Sequence, residues 1–128
     1  MYLPVHPESQ ALWSEWARCW PWLRRTAALA PTHDENDILA TIAWTGRSQL
    51  WPAEDAVAVT EVITTPNVKV FNVWLAGGNL ATLKAMFADM EAWGRSIGCR
   101  VIQIMGREGW QRALPGMTRS AVVLTKEL

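Results

Sequence analysis

Gly77 and Gly78, followed by Asn79, stand directly before the clearest predicted helix of the sequence. Backbone N–H groups at a helix start have no partner within the helix, and the helix dipole places partial positive charge there. Such a junction can therefore hold a small anion. The structural alternative is a tight turn between a strand and a helix, in which glycine provides a positive φ. The tight turn is the favoured interpretation.

Arg107 is a second candidate for anion binding, because its planar guanidinium can hold a carboxylate or a phosphate in a groove between strands. It belongs to the segment GREGW, residues 106–110, which follows a short apolar run. In the structural alternative this segment is only the corner between a strand and a helix. Glu108 would then lie favourably at the helix N-terminus, and Trp110 would cover the sheet. The corner with a packed Trp110 is the favoured interpretation.

The histidines and cysteines do not predict a metal site. His6 and His33 have no Cys, Asp or second His at ligand spacing. Cys19 and Cys99 are far apart in the sequence, and Cys99 adjoins a predicted buried strand. They are therefore predicted to be free, buried thiols of a protein from a reducing compartment.

Tryptophan is unusually frequent, with nine residues against two Phe and one Tyr. Trp13, Trp16 and Trp20 recur on one side of the first predicted helix, and Trp22 lies round the turn from them. Indoles dominate both cores and protein interfaces. Most of this stripe is expected in the core, and the alternative is an exposed aromatic patch that docks a partner protein.

Length and charge limit the classes of protein that this chain can represent. Its 128 residues suit one domain, residues 1–128. Twelve basic residues balance twelve acidic ones, so we expect no specific nucleic-acid partner and no attraction to an anionic membrane. No apolar run approaches the roughly 20 residues of a membrane-spanning helix, and the first residues lack the pattern of a secretory signal. We therefore expect a cytoplasmic protein.

Hydrophobic periodicity predicts an α+β domain with ten elements. In chain order they are a strand, two helical regions, three meandering strands, a long helix, a buried central strand, a short helix and a last strand. Pro21 is expected to kink or split the first helical region, and Thr32 and Glu35 are expected to form a capping box. The predicted ranges are residues 1–5, 8–30, 32–46, 47–51, 55–65, 68–75, 79–98, 101–105, 107–114 and 120–125.

This order resembles the fold of the Gcn5-related N-acetyltransferases (GNAT) over nearly the whole chain. The segments GRSQLW, AGG, EAWGRSIGC and GREGW further resemble small phage-encoded proteins of that fold. The resemblance implies a mixed, mostly antiparallel sheet with helices on both faces. It also implies that residues 68–105 correspond to the segment that holds acyl-CoA in the family.

The family's diphosphate loop is absent from this sequence. In active members its pattern is Arg or Gln, two residues, Gly, one residue, then Gly or Ala. Here Trp74 or Leu75 stands in place of the Arg or Gln, and Asn79 or Leu80 in place of the second small residue. The resemblance thus implies that the cofactor's usual cradle is lost.

Catalysis in the family also needs a base and an acid, for which a strand Glu and a Tyr are common. Glu61, inside the second meander strand, is the candidate catalytic base. The one tyrosine, Tyr2, is at the other end of the chain. The helix that would supply the acid carries Trp110, whose indole has no proton to give at neutral pH.

Two functions follow from the resemblance. The favoured one is a non-catalytic, acyltransferase-like structural protein of a phage particle, without a cofactor. It would contact virion proteins of the portal–tail region or the interior, and it could form a homo-oligomeric ring. It would be located in the virion, and in the host cytoplasm before assembly. The alternative is an active acetyl-CoA-dependent N-acyltransferase, with Glu61 as base and Gly77, Gly78, Asn79 and Arg107 at the cofactor.

Overall fold

A computed structural model describes residues 1–28, 32–105, 109–122 and 124–128. Within these ranges a four-stranded sheet has the order β1-β2-β3-β4. Strands β1, β2 and β3 pair antiparallel, and β4 is parallel to β3. The elements are α1 (Ala11–Ala28), α2 (Glu35–Ala43), β1 (Ser48–Pro52), β2 (Ala56–Thr64), β3 (Lys69–Gly78), α3 (Leu80–Ser96), β4 (Val101–Ile104) and α4 (Gly109–Ala113).

Helices cover both faces of the sheet and form two separate cores. The α3-side core joins α3 to the sheet and includes Trp51, Phe71 and Met86. The α1-side core joins α1 and α2 to the opposite face and includes Trp16 and Val59. The predicted α+β class, with a mixed and mostly antiparallel sheet between helices, is confirmed.

A β-bulge at Trp74 interrupts the pairing of β2 with β3. Val59 lies opposite Leu75 and Thr60 lies opposite Val73, so Trp74 has no partner on β2. One extra residue reverses the alternation of side chains along a strand. As a result, Val73 joins the α3-side core and Leu75 joins the α1-side core.

The two predicted terminal strands are not formed within the described residues. Residues 1–5 are not a strand, although the Val5 amide donates to the Leu50 carbonyl at 2.9 Å and so borders β1. Residues 120–122 and 124–125 are also outside any strand, and Val123 lies outside the described residues. Both segments have strand-like composition, but a strand also requires continuous pairing with a neighbour.

Strand β4 was predicted to be central and buried on both faces, and this was wrong. It is the last strand of the described sheet, and Val101 is exposed. An apolar run of four residues does not distinguish a central strand from an edge strand, because the sequence does not contain the identity of the neighbour.

One expectation about the first two helices was also wrong. The capping box of α2 consists of Asp34 and Asp37, two residues later than the predicted Thr32 and Glu35. Of the two effects expected of Pro21, a kink or a split, the split does not occur, because α1 continues through Pro21. Cys19 and Leu23, on either side of Pro21, are fully buried, and this packing holds both halves of the helix on the same face of the sheet.

Candidate functional site

Asp55 brings its carboxylate to the N-terminus of α3. The Asn79 amide donates to the Asp55 carbonyl at 2.9 Å, and the Thr82 hydroxyl donates to Asp55 Oδ1 at 2.7 Å. Asn79 is the N-cap of α3, since its Oδ1 accepts from the Thr82 amide at 3.2 Å. Asp55 therefore supplies the negative charge that a bound anion would otherwise bring to this helix end.

Gly77 and Gly78 are the last two residues of β3, paired with Val57 and Ala56, and not a free loop. A Cβ on Gly77 would lie 2.9 Å from the carbonyl carbon of Trp22 in α1, and closer still to its oxygen. A Cβ on Gly78 would lie 2.6 Å from the Ala56 Cα, and its φ is +103°. Close approach of α1 and of the β1–β2 turn therefore requires both glycines. Gly78 bears out the predicted positive φ at the end of a strand.

Glu61 belongs to a polar row that crosses three strands. The Asn72 side-chain amide donates to Glu61 Oε1 at 2.9 Å, and the Gln103 amide donates to Asn72 Oδ1 at 3.2 Å. The three residues lie opposite one another on β2, β3 and β4, and Asn72 is fully buried. Ser48 on β1 extends the row, and its buried hydroxyl has no hydrogen-bond partner among the described residues. A neutral amide thus fixes one oxygen of the candidate base.

Sequence inspection missed Asn72 and Gln103. Both interrupt apolar strands, which was the available signal. Their juxtaposition with Glu61 depends on strand register, which sequence periodicity alone does not determine.

Trp110 packs against the α3-side core and so covers the sheet, as predicted. Pairing of the two strands ends at Val73 and Ile104, while β3 continues to Gly78. A cavity of about 10 Å³ lies beside Trp110. Its lining consists of Ala58, Val73, Ala76, Leu83, Phe87, Met90, Ile104 and Trp110. Arg107 lies outside the described residues.

The lone tyrosine serves the packing of the N-terminal segment. The Tyr2 backbone amide donates to Asp89 Oδ2 of α3 at 2.8 Å, and the ring packs against the α3-side core. Tyr2 is thereby held to α3, whereas Glu61 belongs to the polar row on the sheet.

The predicted tryptophan stripe is divided between core and surface. Trp16 is buried, donates from Nε1 to Glu35 Oε1 at 3.3 Å and stacks on Trp20 at 5.5 Å. Trp20 and Trp22 are half-buried against the α1-side core. Trp13 is 52% exposed, and its ring lies 6.4 Å from that of Trp44, which is 76% exposed. Trp13 and Trp44 form an exposed aromatic pair.

Trp44 was not predicted as a surface residue. Its signal was the position at the C-cap of α2, two residues before the positive-φ Gly46. A side chain at a helix end next to a turn commonly faces solvent.

Both cysteines are free and buried, as predicted. Burial raises the pKa of the Cys19 thiol from 9.0 to about 11. Burial also raises the pKa of the Cys99 thiol, against the opposing effect of the Lys69 charge. Neither thiol is therefore ionised at neutral pH in the folded chain.

The described residues hold no group of three or more His, Cys, Asp or Glu side chains arranged for a metal ion. Across the same ranges, every helix is too short or too polar to cross a lipid bilayer.

The antiparallel meander, the parallel β3–β4 pair and the helices on both faces together define the GNAT fold. Solved structures confirm this. A point mutant of TTHA1254 from Thermus thermophilus matches with a TM-score of 0.66 and 15% identity, over 100% of this chain and 96% of that one. The aminoglycoside N-acetyltransferase AAC(6')-Iy in complex with CoA matches with a TM-score of 0.62 and 16% identity, over 89% of each chain.

An acetyltransferase from Trypanosoma brucei matches with a TM-score of 0.57 and 14% identity, over 100% of this chain and 99% of that one. No protein-family model and no curated protein sequence matches the chain. At these identities the shared feature is the acyltransferase-like fold.

Proposed function

We propose that this chain is a non-catalytic protein with an acyltransferase-like fold, which acts by contacts with other proteins of a phage particle. The observation that carries the proposal is the position of Asp55 at the N-terminus of α3. In the family that the sequence resembles, this helix end receives the CoA diphosphate. A carboxylate already bound there would repel a second anion.

The backbone at the same junction offers further support. A diphosphate cradle needs several N–H groups that point at the ligand. The Asn79 and Thr82 amides donate instead to Asp55 and to the Asn79 side chain. Gly77 lies under the Trp22 carbonyl, so the space beside it is filled by α1. The chain's own groups thus take two of the backbone donors at this junction, those of Asn79 and Thr82, and the room beside Gly77.

The remaining parts of an acetyl-transfer site also argue for the non-catalytic function. Trp110 packs on the α3-side core beside Val73 and Ile104, where the pairing of β3 with β4 ends. Glu61 is held by Asn72 in the polar row, and Tyr2 is tied to α3. An acid and a base that act on one substrate must both reach it. The described contacts give Glu61 and Tyr2 separate structural partners.

Protein contact is supported by the exposed pair of Trp13 and Trp44. Large exposed aromatic groups are typical anchors of protein interfaces. Of the four tryptophans predicted as an interface, Trp13 offers the most surface, and Trp20 and Trp22 can form its rim. The phage particle, its portal–tail region or interior, and a homo-oligomeric ring are proposed from the short motifs of the sequence.

Thermal unfolding with acetyl-CoA tests the cofactor part of the proposal. A ligand at a hundredfold its dissociation constant stabilises the folded state by about 2.7 kcal/mol. We expect no change in Tm at millimolar acetyl-CoA for the native chain, with a CoA-binding acetyltransferase as positive control. A rise of several degrees would contradict the proposal and favour the active N-acyltransferase.

The variant Asp55→Ser sharpens this test, because serine keeps a small acceptor and removes the charge. If the carboxylate alone excludes the diphosphate, this variant gains a Tm rise with acetyl-CoA. The phage assignment is tested separately by mass spectrometry of purified particles. A constant copy number per particle supports it, and absence from particles made by a phage that encodes the chain refutes it.

A further inference from the structure

A second cavity, which we call the α3–β4 cavity, lies between the C-terminal half of α3 and the beginning of β4. Its volume is about 70 Å³, against about 10 Å³ for the cavity beside Trp110. Phe71 in its wall lies seven residues before Gly78, the last residue of β3. At about 3.3 Å per residue, the α3–β4 cavity is roughly 20 Å from the junction of β3 and α3. It is therefore separate from the site considered for acyl-CoA.

The inner wall of the α3–β4 cavity is apolar. Phe71 of β3 and Met90 of α3 are buried, and Ile102 of β4 packs half-buried against the same core. A charged group on this wall would lose its hydration without gaining a partner, whereas a hydrocarbon chain gains by leaving water. An engineered cavity of about 150 Å³ holds benzene, so about half that volume suits a short aliphatic chain.

The outer wall of the cavity carries two arginines. Arg100 is exposed, and within the described ranges its guanidinium takes part in no ion pair. Arg95 contacts Glu91 at 3.4 Å, and its side chain is 73% exposed. Lys69 brings a further positive charge to this end of the sheet, since its ammonium donates to the Ile97 carbonyl at 2.7 Å. These three cations outnumber the Glu91 carboxylate and favour an anionic group at the entrance.

Hydrogen bonds hold the segment that joins the two walls. The Cys99 amide donates to the Gly94 carbonyl at 2.9 Å, and the Arg100 amide donates to the Lys69 carbonyl at 3.0 Å. These bonds tie the residues before β4 to both α3 and β3. The Arg100 backbone is therefore fixed relative to the apolar wall before a ligand binds, which lowers the entropic cost of binding.

We propose that the α3–β4 cavity binds a short-chain aliphatic carboxylate of about four carbons. The hydrocarbon chain lies against Phe71 and Met90, and the carboxylate accepts hydrogen bonds from Arg100. The planar guanidinium fork matches the two oxygens of a carboxylate. The proposal is independent of the proposed function, because the cavity and the β3–α3 junction lie at different ends of β3.

Methyl NMR of the full chain, with isotope labels in the methionine methyl groups, tests the site directly. Of the five methionines, Met90 lines the cavity, and Met1, Met86, Met105 and Met117 serve as internal references. We expect sodium butyrate to shift the Met90 signal to saturation, with a Kd on the order of 1–10 mM. Butanol and butylamine keep the chain without the carboxylate and should bind at least about tenfold more weakly. No shift of Met90 at about 100 mM butyrate, or equal shifts with all three compounds, overturns the proposal.

Charge variants test the role of the two arginines. Arg100→Gln should weaken butyrate binding about tenfold, which corresponds to about 1.4 kcal/mol. Glu91→Gln should strengthen it about two- to fivefold, because Arg95 loses a competing partner. Arg24→Gln, at an exposed position of α1 on the opposite face of the sheet, is the matched control and keeps the native Kd. Equal affinities of the native chain and Arg100→Gln contradict the proposal, and so does weaker binding by Glu91→Gln.

A peptide C-terminus offers the same chemistry, since its last side chain can be aliphatic and lies beside a carboxylate. N-acetyl-valine and N-acetyl-leucine, titrated in parallel, represent that source. Equal or weaker binding than that of butyrate supports a free short-chain carboxylate. Binding at least about tenfold tighter favours a peptide end and overturns the proposal.

Discussion

Gly77→Ala distinguishes a packing role of the glycine pair from a cofactor-binding role. Carbon atoms in contact are normally about 3.5–4.0 Å apart. The new methyl group would lie 2.9 Å from the Trp22 carbonyl carbon, which belongs to the backbone and cannot rotate away. Helix α1 must then move away from β3 by an appreciable fraction of an ångström.

The cost of this movement can be worked from the contacts at the junction. Overpacking of a close contact costs about 1–3 kcal/mol. One turn after Trp22, the Thr26 hydroxyl donates to the Ala76 carbonyl at 2.9 Å. Displacement of α1 weakens this bond, which is worth about 1 kcal/mol. We expect Gly77→Ala to lower the free energy of unfolding by about 3 kcal/mol, a large share of the roughly 5–15 kcal/mol typical of a domain.

Equilibrium unfolding in urea measures this difference, with Gly109→Ala as the matched control. No described atom lies within 4 Å of a Cβ on Gly109, at the start of α4. That variant should change stability by less than about 1 kcal/mol, since alanine also favours the helix. Equal stabilities of Gly77→Ala and the native chain would refute the packing argument. A loss of acetyl-CoA binding without a loss of stability would favour a cofactor loop.

Three further predictions concern the pKa of a buried thiol, a helix cap and two tryptophans. Because burial raises the pKa of Cys19 from 9.0 to about 11, the buried neutral thiol contributes fully to stability below pH 9.0. This contribution is lost as the pH rises towards about 11. Over that interval the free energy of unfolding should fall by about 2–3 kcal/mol more in the native chain than in Cys19→Ala, and parallel pH profiles would contradict this. Asp34→Ala should lower the free energy of unfolding in urea by about 1 kcal/mol because it removes the α2 cap, whereas Thr32→Ala should leave it nearly unchanged. A larger loss in Thr32→Ala than in Asp34→Ala would instead support the capping box predicted from the sequence. Trp16→Ala should lower the free energy of unfolding by about 3–5 kcal/mol because it leaves a cavity. Trp44→Ala, at an exposed position, should leave the melting temperature nearly unchanged. A comparable loss of stability in Trp44→Ala would show that the Trp44 ring is packed in the folded chain.

The sequence was sufficient to predict the helices and strands whose apolar residues recur with a strong period. The stripe from Leu83 to Met90 predicted α3, and alternation with a short turn predicted the pairing of β2 with β3. These signals are local, because each depends on residues within one element or one hairpin. The GNAT-like fold was predicted from them together with the resemblance, and the structure comparisons confirm the fold, although the two predicted terminal strands are not formed within the described residues.

Errors in the sequence-based prediction arose where the neighbour of a segment mattered. Residues 101–105 and 120–125 have similar apolar composition, yet residues 101–104 pair with β3 whereas residues 120–122 and 124–125 lie outside any strand. High β-propensity indicates that a segment can form a strand. Whether it does so depends on a neighbouring strand with which its backbone can pair. The polar row of Glu61, Asn72 and Gln103 was missed for the same reason, since it exists only in the observed register.

On the proposed function, the junction of β3 and α3 accounts for an acyltransferase-like fold that is stable without a bound cofactor. A helix N-terminus needs partners for its free amides whether or not a ligand is bound. Here the Asp55 carbonyl accepts from the Asn79 amide, and the Asn79 side chain accepts from the Thr82 amide. The Trp22 carbonyl of α1 fills the space above Gly77. These contacts therefore stabilise the junction from within the chain. On the proposed function, a mutation that frees this helix end should lower stability before it creates any affinity for acetyl-CoA.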